Sequence, residues 1–170
     1  DLTLNQSGTS PSFTNAGTVT IGAGHTWTVS GGGLIQNAGT IGGTGTLALN
    51  SVTAAFTTGF SNATTTLAVA GSTINGPGAL TNAAGKTLTL TASTVAAPLV
   101  NQGLLVVENT SAISGALTMA AGATLRVQGN GFCCGGTLTV AAGFINLGAI
   151  ELTSINGGQP AQLNVTSGSL

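Results

Sequence analysis

The chain has 170 residues, of which only 3% are charged, and its formal net charge is −1. An ordinary globular protein is about 25% charged, so the polar surface here must consist mainly of Thr, Ser, Asn, Gln and Gly. With 2 Lys/Arg in total there is no basic patch, so we expect no nucleic-acid partner. No run approaches the roughly 18 apolar residues of a transmembrane helix. The 28 glycines lack a period of three, which excludes a collagen triple helix, and abundant Thr, Val and Ile argue against disorder.

Strands rather than helices are predicted along the whole chain. Apolar and polar residues alternate over short stretches, as Leu88 and Leu90 do with Thr87 and Thr89. Such alternation indicates strands with one buried and one solvated face. Glycine interrupts nearly every window that is long enough for a helix. The sequence therefore predicts an all-β fold.

One turn-and-strand motif recurs, and each copy is interpreted as one corner and one face of a coil. The clearest copy is TNAAGKTLTL at residues 81–90, and Asn62-Ala63-Thr64 stands where a further copy is expected. A β-sandwich has no reason to repeat one turn at this spacing, so we predict a parallel β-solenoid of about eight coils of roughly 20 residues. The predicted corner glycines are Gly17, Gly39, Gly85, Gly103, Gly122 and Gly143.

The repeat extends over a single predicted domain, residues 1–170. Residues 51–60 and 128–136 follow the repeat poorly, and we predict that they form loops that leave the coil. The pattern begins and ends without an evident capping element, which a solenoid end normally needs. We therefore expect the chain to be a segment or repeat of a longer chain or polymer.

Four charged residues follow one another at about one coil each, with alternating sign. Glu108 and Arg126 lie at similar distances after their corner glycines, which makes them candidate neighbours on adjacent coils. An exposed ion pair contributes only about 0–1 kcal/mol, so it would matter for register more than for stability. Unrelated surface charges are the alternative. The candidate residues of this ladder are Lys86, Glu108, Arg126 and Glu151.

Two adjacent cysteines, Cys133 and Cys134, lie among glycines in GNGFCCGG. Two isolated cysteines make a poor zinc site, because zinc takes further ligands. Adjacent Cα atoms are closer than in most disulfides, yet extracellular cysteines are expected to oxidise. A vicinal disulfide, a cross-link to a neighbouring chain and free thiols all remain open.

Catalysis has little support in the sequence. Glu108 and Glu151 lie about two coils apart, a range that an inverting carboxylate pair could use if they stacked. No Asp cluster, Tyr or Arg clamp accompanies them, and His25 has no evident partner. We predict no catalytic residue, no metal site and no cofactor. Thr-x-Thr pairs such as Thr26/Thr28 resemble ice-binding ladders, but their irregular spacing argues against that role.

The motifs NAGTVTI, NAGTIGGTGTLAL, TNAAGKTLTL and SGALTMAAGATLRVQG resemble the shafts of bacterial surface proteins. These are the autotransporter passenger and filamentous-haemagglutinin-like adhesin families, together with giant repetitive extracellular proteins. The resemblance implies a right-handed parallel β-helix and an extracellular or cell-surface location. It also implies an adhesion, matrix or filament role. From the missing caps and the resemblance together, we expect a structural subunit or shaft segment of an extracellular fibre, whose partners are copies of itself.

The alternative function is an adhesin that binds glycan or a host surface through loops 51–60 or 128–136. An ice-binding solenoid and a polysaccharide-degrading enzyme are less favoured. All of these roles remain expectations at the level of sequence.

Overall fold

The computed structural model describes residues 1–131 and 133–169, and within them it contains strands and turns but no helix. Every named strand pairs in parallel with the strand one coil earlier or later. The chain therefore winds as a parallel β-solenoid, and the predicted all-β solenoid fold is confirmed.

Two sides of the solenoid are sheets of eight strands each, called here sheet 1 and sheet 2. The strands of sheet 1 are β1 (Leu2–Asn5), β4 (Thr26–Ser30), β7 (Thr46–Asn50), β10 (Thr66–Ala70), β13 (Thr87–Thr91), β16 (Leu104–Glu108), β19 (Thr124–Asn130) and β21 (Ala149–Ile155). The strands of sheet 2 are β2 (Ser12–Asn15), β5 (Gly33–Gln36), β8 (Thr53–Phe56), β11 (Thr73–Asn75), β14 (Thr94–Val95), β17 (Thr110–Ile113), β20 (Gly136–Val140) and β22 (Ala161–Val165).

The third side is shorter and consists of a two-stranded and a four-stranded sheet. Six coils of the described chain therefore carry strands on all three sides, and the prediction of eight coils is not confirmed. On the third side, the described residues that follow Met119 form no strand, and an isolated bridge joins Met119 to Asn146. Ile145 and Leu147 are 76% and 65% exposed there, beside a groove of about 590 Å³. The third-side strands are β3 (Thr18–Ile21), β6 (Thr40–Gly43), β9 (Phe60–Ser61), β12 (Leu80–Asn82), β15 (Leu99–Asn101) and β18 (Leu117–Met119).

The core consists of apolar columns that run along the solenoid axis. Leu67 lies in register between Leu47 and Leu88, and all three are buried. Because side chains alternate between the two faces of a strand, the intervening Ala68 points outward and is exposed. The alternation of Leu88 and Leu90 with Thr87 and Thr89 therefore assigns the inner face of β13 correctly.

The predicted loop at residues 51–60 is wrong. This segment contains β8 and the start of β9, and its Val52, Ala54, Phe56 and Phe60 are buried in the core. The rings of Phe56 and Phe60 stack with their centroids 4.9 Å apart. The segment stays in the coil because its apolar residues alternate inward like those of every other strand.

The predicted loop at residues 128–136 is partly strand. Residues up to Asn130 continue β19 in register with β21, and Gly136 begins β20. Gly131, Cys133, Cys134 and Gly135 lie in the corner between these strands, and Phe132 lies outside the described residues. Among the described residues, Gly131 and residues 133–135 are thus the part of this segment outside strands β19 and β20.

Candidate functional site

The charged residues of the candidate ladder lie on or beside the outer face of sheet 1, but only two of them form an ion pair. The Arg126 Nε donates to Glu151 Oε2 over 2.7 Å, and these side chains are 35% and 43% exposed. The two residues are direct register partners on β19 and β21. This contact links the last two strands of sheet 1, β19 and β21.

Glu108 does not pair with Arg126 but lies in register with Gln128. The Gln128 Nε2 donates to Glu108 Oε1 over 2.7 Å. Within residues 1–131 and 133–169, Lys86 makes no salt bridge. Glu108 and Glu151 do not stack, because Gln128 aligns with Thr153 rather than with Glu151.

Removing the Arg126–Glu151 pair is expected to have a small effect on stability. Both side chains are partly solvated, so Arg126→Met should lower the free energy of unfolding by less than about 1 kcal/mol. Urea denaturation at low and high salt measures this difference. A loss several times larger would contradict the assignment of this pair as a weak, solvent-screened contact.

The cysteines are joined to each other. Cys133 and Cys134 form a vicinal disulfide with a Cα–Cα distance of 3.7 Å. It lies in the corner between β19 and β20, where Cys133 is exposed and Cys134 is half-buried.

The predicted corner glycines lie at two different corners of the coil. Three follow sheet 2 strands and three follow third-side strands. Gly85 needs to be glycine because its φ is +71°, whereas a side chain on Gly39 would collide with the backbone of Gly17. The motif therefore indicates a corner, but not the same corner in every coil. After sheet 2 lie Gly17, Gly39 and Gly143, and after the third side lie Gly85, Gly103 and Gly122.

Sequence reasoning missed the most regular corner, which joins sheet 1 to sheet 2. In five successive coils, the first residue of this corner has a left-handed conformation. In four of them, the backbone N–H of this residue donates to the carbonyl of the last residue of the sheet 1 strand in the next coil, over 2.9–3.3 Å. The identity of this residue varies, so no single letter marks it. Its only signal is a small or polar residue directly after each sheet 1 strand. The five residues are Gly31, Ser51, Gly71, Ala92 and Asn109.

Ala92→Gly is expected to stabilise the protein. Ala92 has a φ of +49°, a conformation that costs an L-residue about 1 kcal/mol relative to glycine. The greater freedom of glycine in the unfolded chain offsets part of this gain, which leaves an increase of about 0.5 kcal/mol. Thermal unfolding measures it, and a lower melting temperature would contradict the assignment.

A ladder of buried serines follows the left-handed corner. The backbone N–H groups of Val52, Ser72 and Ser93 each donate to a serine hydroxyl of the next coil, over 3.0, 3.2 and 3.1 Å. The Ser72 and Ser93 hydroxyls donate in turn to carbonyls two residues earlier, both over 2.8 Å. Buried backbone groups that face a corner are thereby satisfied. The buried hydroxyls belong to Ser72, Ser93 and Ser111.

A ladder of buried asparagines occupies the corner between the third side and sheet 1. Asn62 Nδ2 donates to Asn82 Oδ1, and Asn82 Nδ2 donates to Asn101 Oδ1, both over 2.7 Å. These side chains are at most 1% exposed. This series of hydrogen bonds ends at the backbone carbonyl of Thr124, which accepts from Asn101 Nδ2 over 3.0 Å. Because a shift by one residue would bury these amides without partners, the ladder fixes the register of three coils.

Both ends of the described solenoid are open and apolar. Strands β1 and β21 are the outermost strands of sheet 1, and β2 and β22 those of sheet 2. Leu2 and Leu152 belong to the inward columns, yet they are 63% and 54% exposed because no strand of the described residues covers them. The ends thus present backbone edges and core side chains together.

A groove of about 340 Å³ lies on the outer face beside the ion pair. Its lining residues are Arg126, Gln128, Glu151, Thr153 and Ile155. Within the described chain, the two Nη atoms of Arg126 have no partner, since only its Nε is used. This groove combines unused hydrogen-bond donors and acceptors with an apolar side chain that is 39% exposed.

No catalytic constellation comes together in the described residues. His25 Nδ1 lies 3.9 Å from Asp1 Oδ1 on the exposed surface, and this carboxylate also accepts from the Thr26 N–H over 2.8 Å. The described residues contain no group of three or more His, Cys, Asp or Glu that could hold a metal ion. They also contain no helix long and apolar enough to cross a membrane.

Threonines do not form a regular two-column array on sheet 1. Thr26 is followed in register by Thr46 and Thr66, but Thr28 is followed by Ala48 and Ala68. Consecutive coils therefore do not repeat the Thr-x-Thr pair that an ice-binding face would require.

Comparison of the chain with family models, with curated proteins and with solved structures finds no match.

Proposed function

We propose that this chain is a structural subunit or shaft segment of an extracellular fibre, which assembles end to end through the edges of its solenoid. The observation that carries the proposal is the pair of open ends, where Leu2 and Leu152 expose the core columns. Edge strands of this kind are templates for pairing with another chain. A second copy placed end to end would continue both the backbone ladders and the apolar columns.

The proposed role is mechanical and involves no catalytic step. We propose a right-handed coil, because parallel crossovers in one sheet are almost always right-handed. With strands about 4.8 Å apart, the eight strands of sheet 1 give a rod roughly 40 Å long, of which the last two coils lack a third strand. Hydrogen bonds along the rod axis would carry the load.

The composition supports a location outside the cell and an assembled working state. A net charge of −1 gives little repulsion between copies, and such surfaces tend to associate. A disulfide persists most readily in an oxidising compartment, and the described chain has one between Cys133 and Cys134.

Negative-stain electron microscopy and light scattering test the proposal. We expect long uniform filaments from the wild type and monomeric rods from Leu152→Lys, because that ammonium would lie in the apolar end contact. Ala68→Lys is the matched control, since Ala68 points outward in the middle of sheet 1 and should leave filaments intact. Circular dichroism verifies that both variants fold. A wild type that stays monomeric, or a Leu152→Lys variant that polymerises normally, would refute end-to-end assembly.

The second candidate is a glycan-binding rod, and the groove beside Arg126 favours it. Neutral sugars present hydroxyl pairs to carboxylates and guanidinium groups, and they present C–H faces to apolar side chains such as Ile155. Isothermal titration with cellotetraose and maltotetraose tests this candidate. Binding that Glu151→Gln weakens at least tenfold would support it, and no binding of either sugar at millimolar concentration would eliminate it.

A further inference from the structure

The Cys133–Cys134 disulfide lies in the corner between β19 and β20, the strands that pair with the last two described strands, β21 and β22. The last coil below means β21, β22 and the corner between them. The corner that contains it is closed on itself, because the Asn130 N–H donates to the Cys134 carbonyl over 2.8 Å and the Cys134 N–H donates to the Asn130 carbonyl over 3.1 Å. The disulfide and these two hydrogen bonds therefore restrain the backbone of the same corner, which includes Cys133 and Cys134. Cys133 is exposed, so a small reductant in solution can reach it.

Hydrogen bonds on both sides of the disulfide connect this corner to the last coil. The Gly131 N–H donates to the Ile155 carbonyl over 3.0 Å, and the Gly136 N–H donates to the Pro160 carbonyl over 2.9 Å. The carbonyls of Ile155 and Pro160 flank the corresponding corner between β21 and β22. The position of the Gly131 and Gly136 N–H groups therefore determines whether the corner between β21 and β22 keeps these two hydrogen bonds.

The two corners are also in close contact. A side chain at Gly129 would collide with the Gln159 backbone, and one at Gly131 would collide with the Asn156 backbone. Beyond the last coil no described strand covers β21 or β22. The last coil therefore depends on β19, β20 and the corner between them for its backbone contacts.

We propose that the Cys133–Cys134 disulfide is a redox modification site whose reduction loosens the last coil. A soluble dithiol is the co-reactant. One of its thiolates attacks a cysteine sulfur, the S–S bond breaks, and the mixed disulfide resolves into two protein thiols and the cyclic disulfide of the reductant. Two electrons and two protons pass to the protein. The covalent ring across Cys133 and Cys134 opens, and the backbone of the corner gains freedom.

In the filament proposed above, on which this last step rests, the loosened coil is the one that carries the docking edge β21. Reduction would then weaken end-to-end assembly at that end. The chemical step and the loosening do not require a filament and can be measured on monomeric rods.

Amide hydrogen exchange followed by NMR tests the inference. After reduction with dithiothreitol, we expect the Gly131 and Gly136 amides to exchange about tenfold faster, since a ring of only two residues restricts the chain modestly. The amides of Leu88 and Leu90, in the middle of the rod, should be unchanged. Intact mass must show the gain of two hydrogens, so that the reduction itself is established.

A Cys133→Ser/Cys134→Ser double variant is the matched control. It should exchange like the reduced protein without reductant, and dithiothreitol should have no further effect on it. Unchanged protection of Gly131 and Gly136 in fully reduced wild type would overturn the inference, whatever the state of the filaments. Faster exchange at these amides would establish the redox site, and filament length in the same samples reports separately on the proposed end-to-end contact.

Discussion

Asn82→Ala is expected to lower the free energy of unfolding by about 3 kcal/mol. Asn82 is fully buried, and it both accepts from Asn62 Nδ2 and donates to Asn101 Oδ1 over 2.7 Å. Alanine would leave a buried donor on Asn62 and a buried acceptor on Asn101 without partners. Each orphaned group costs about 1–3 kcal/mol, which exceeds the net value of the bonds themselves. Urea denaturation monitored by circular dichroism measures the loss.

Asn50→Ala is the matched control for the asparagine ladder. Asn50 ends a sheet 1 strand, is exposed, and forms no side-chain hydrogen bond in the described structure, so its replacement should change stability by less than about 0.5 kcal/mol. A variant that keeps the acceptor but loses the donor, Asn82→Asp, should be at least as destabilising as Asn82→Ala, because it adds a buried charge. Equal and small effects at Asn50 and Asn82 would show that the ladder does not stabilise the coil.

Phe56→Ala is expected to destabilise the protein by about 4 kcal/mol. Phe56 is fully buried and stacks on Phe60 across the corner between sheet 2 and the third side. Removal of the ring deletes apolar contacts and leaves a cavity that the hydrogen-bonded corners cannot close. Denaturation midpoints measure the loss, and the same experiment tests whether residues 51–60 belong to the coil.

Thr58→Ala provides the comparison for Phe56→Ala. Thr58 lies two residues away, is exposed and makes no side-chain hydrogen bond within the described chain, so we expect a change within about 0.5 kcal/mol. If residues 51–60 formed a loop outside the coil, both substitutions would have similarly small effects. A large difference between them is the result expected from the structure.

The architecture could be predicted from the sequence because apolar and polar residues alternate with a period of two in many strands, and this pattern is visible in a single sequence. Leu88 and Leu90 point inward as their spacing indicates, and Asn62 occupies the place of the missing motif copy, in line with Asn82. The periodic signal was also sufficient to favour a solenoid over a sandwich. These features depend on local patterns that one chain displays many times.

Features that depend on register between coils could not be predicted from one sequence. The sequence separation between register partners varies from 17 residues, for Thr91 and Glu108, to 27 residues, for Ala112 and Thr139. For Arg126 and Glu151 it is 25 residues. A two-residue error in register is enough to exchange Gln128 for Arg126 as the neighbour of Glu108. The left-handed corner was missed because Ala92 and Asn109 adopt there the positive φ that glycine adopts at the same corner of other coils.

Residues 51–60 were misjudged for a related reason. Ala54 occupies a core position that Leu34 and Ile74 occupy in the neighbouring coils, so the apolar alternation looks weak in the sequence. Phe56 lies two residues further on the same strand and is also buried. That Ala54 belongs to a core column becomes evident only when its register partners Leu34 and Ile74 are known.

The parallel register has a kinetic consequence. Each coil pairs only with the coils directly before and after it, so the molecule behaves as a one-dimensional array in which folding begins at one interface and propagates to its neighbours. Every strand pairing closes a segment of similar, modest length, and no step must join distant parts of the chain. The asparagine ladder of coils three to five is then a natural nucleus, and unfolding should proceed inward from the two ends.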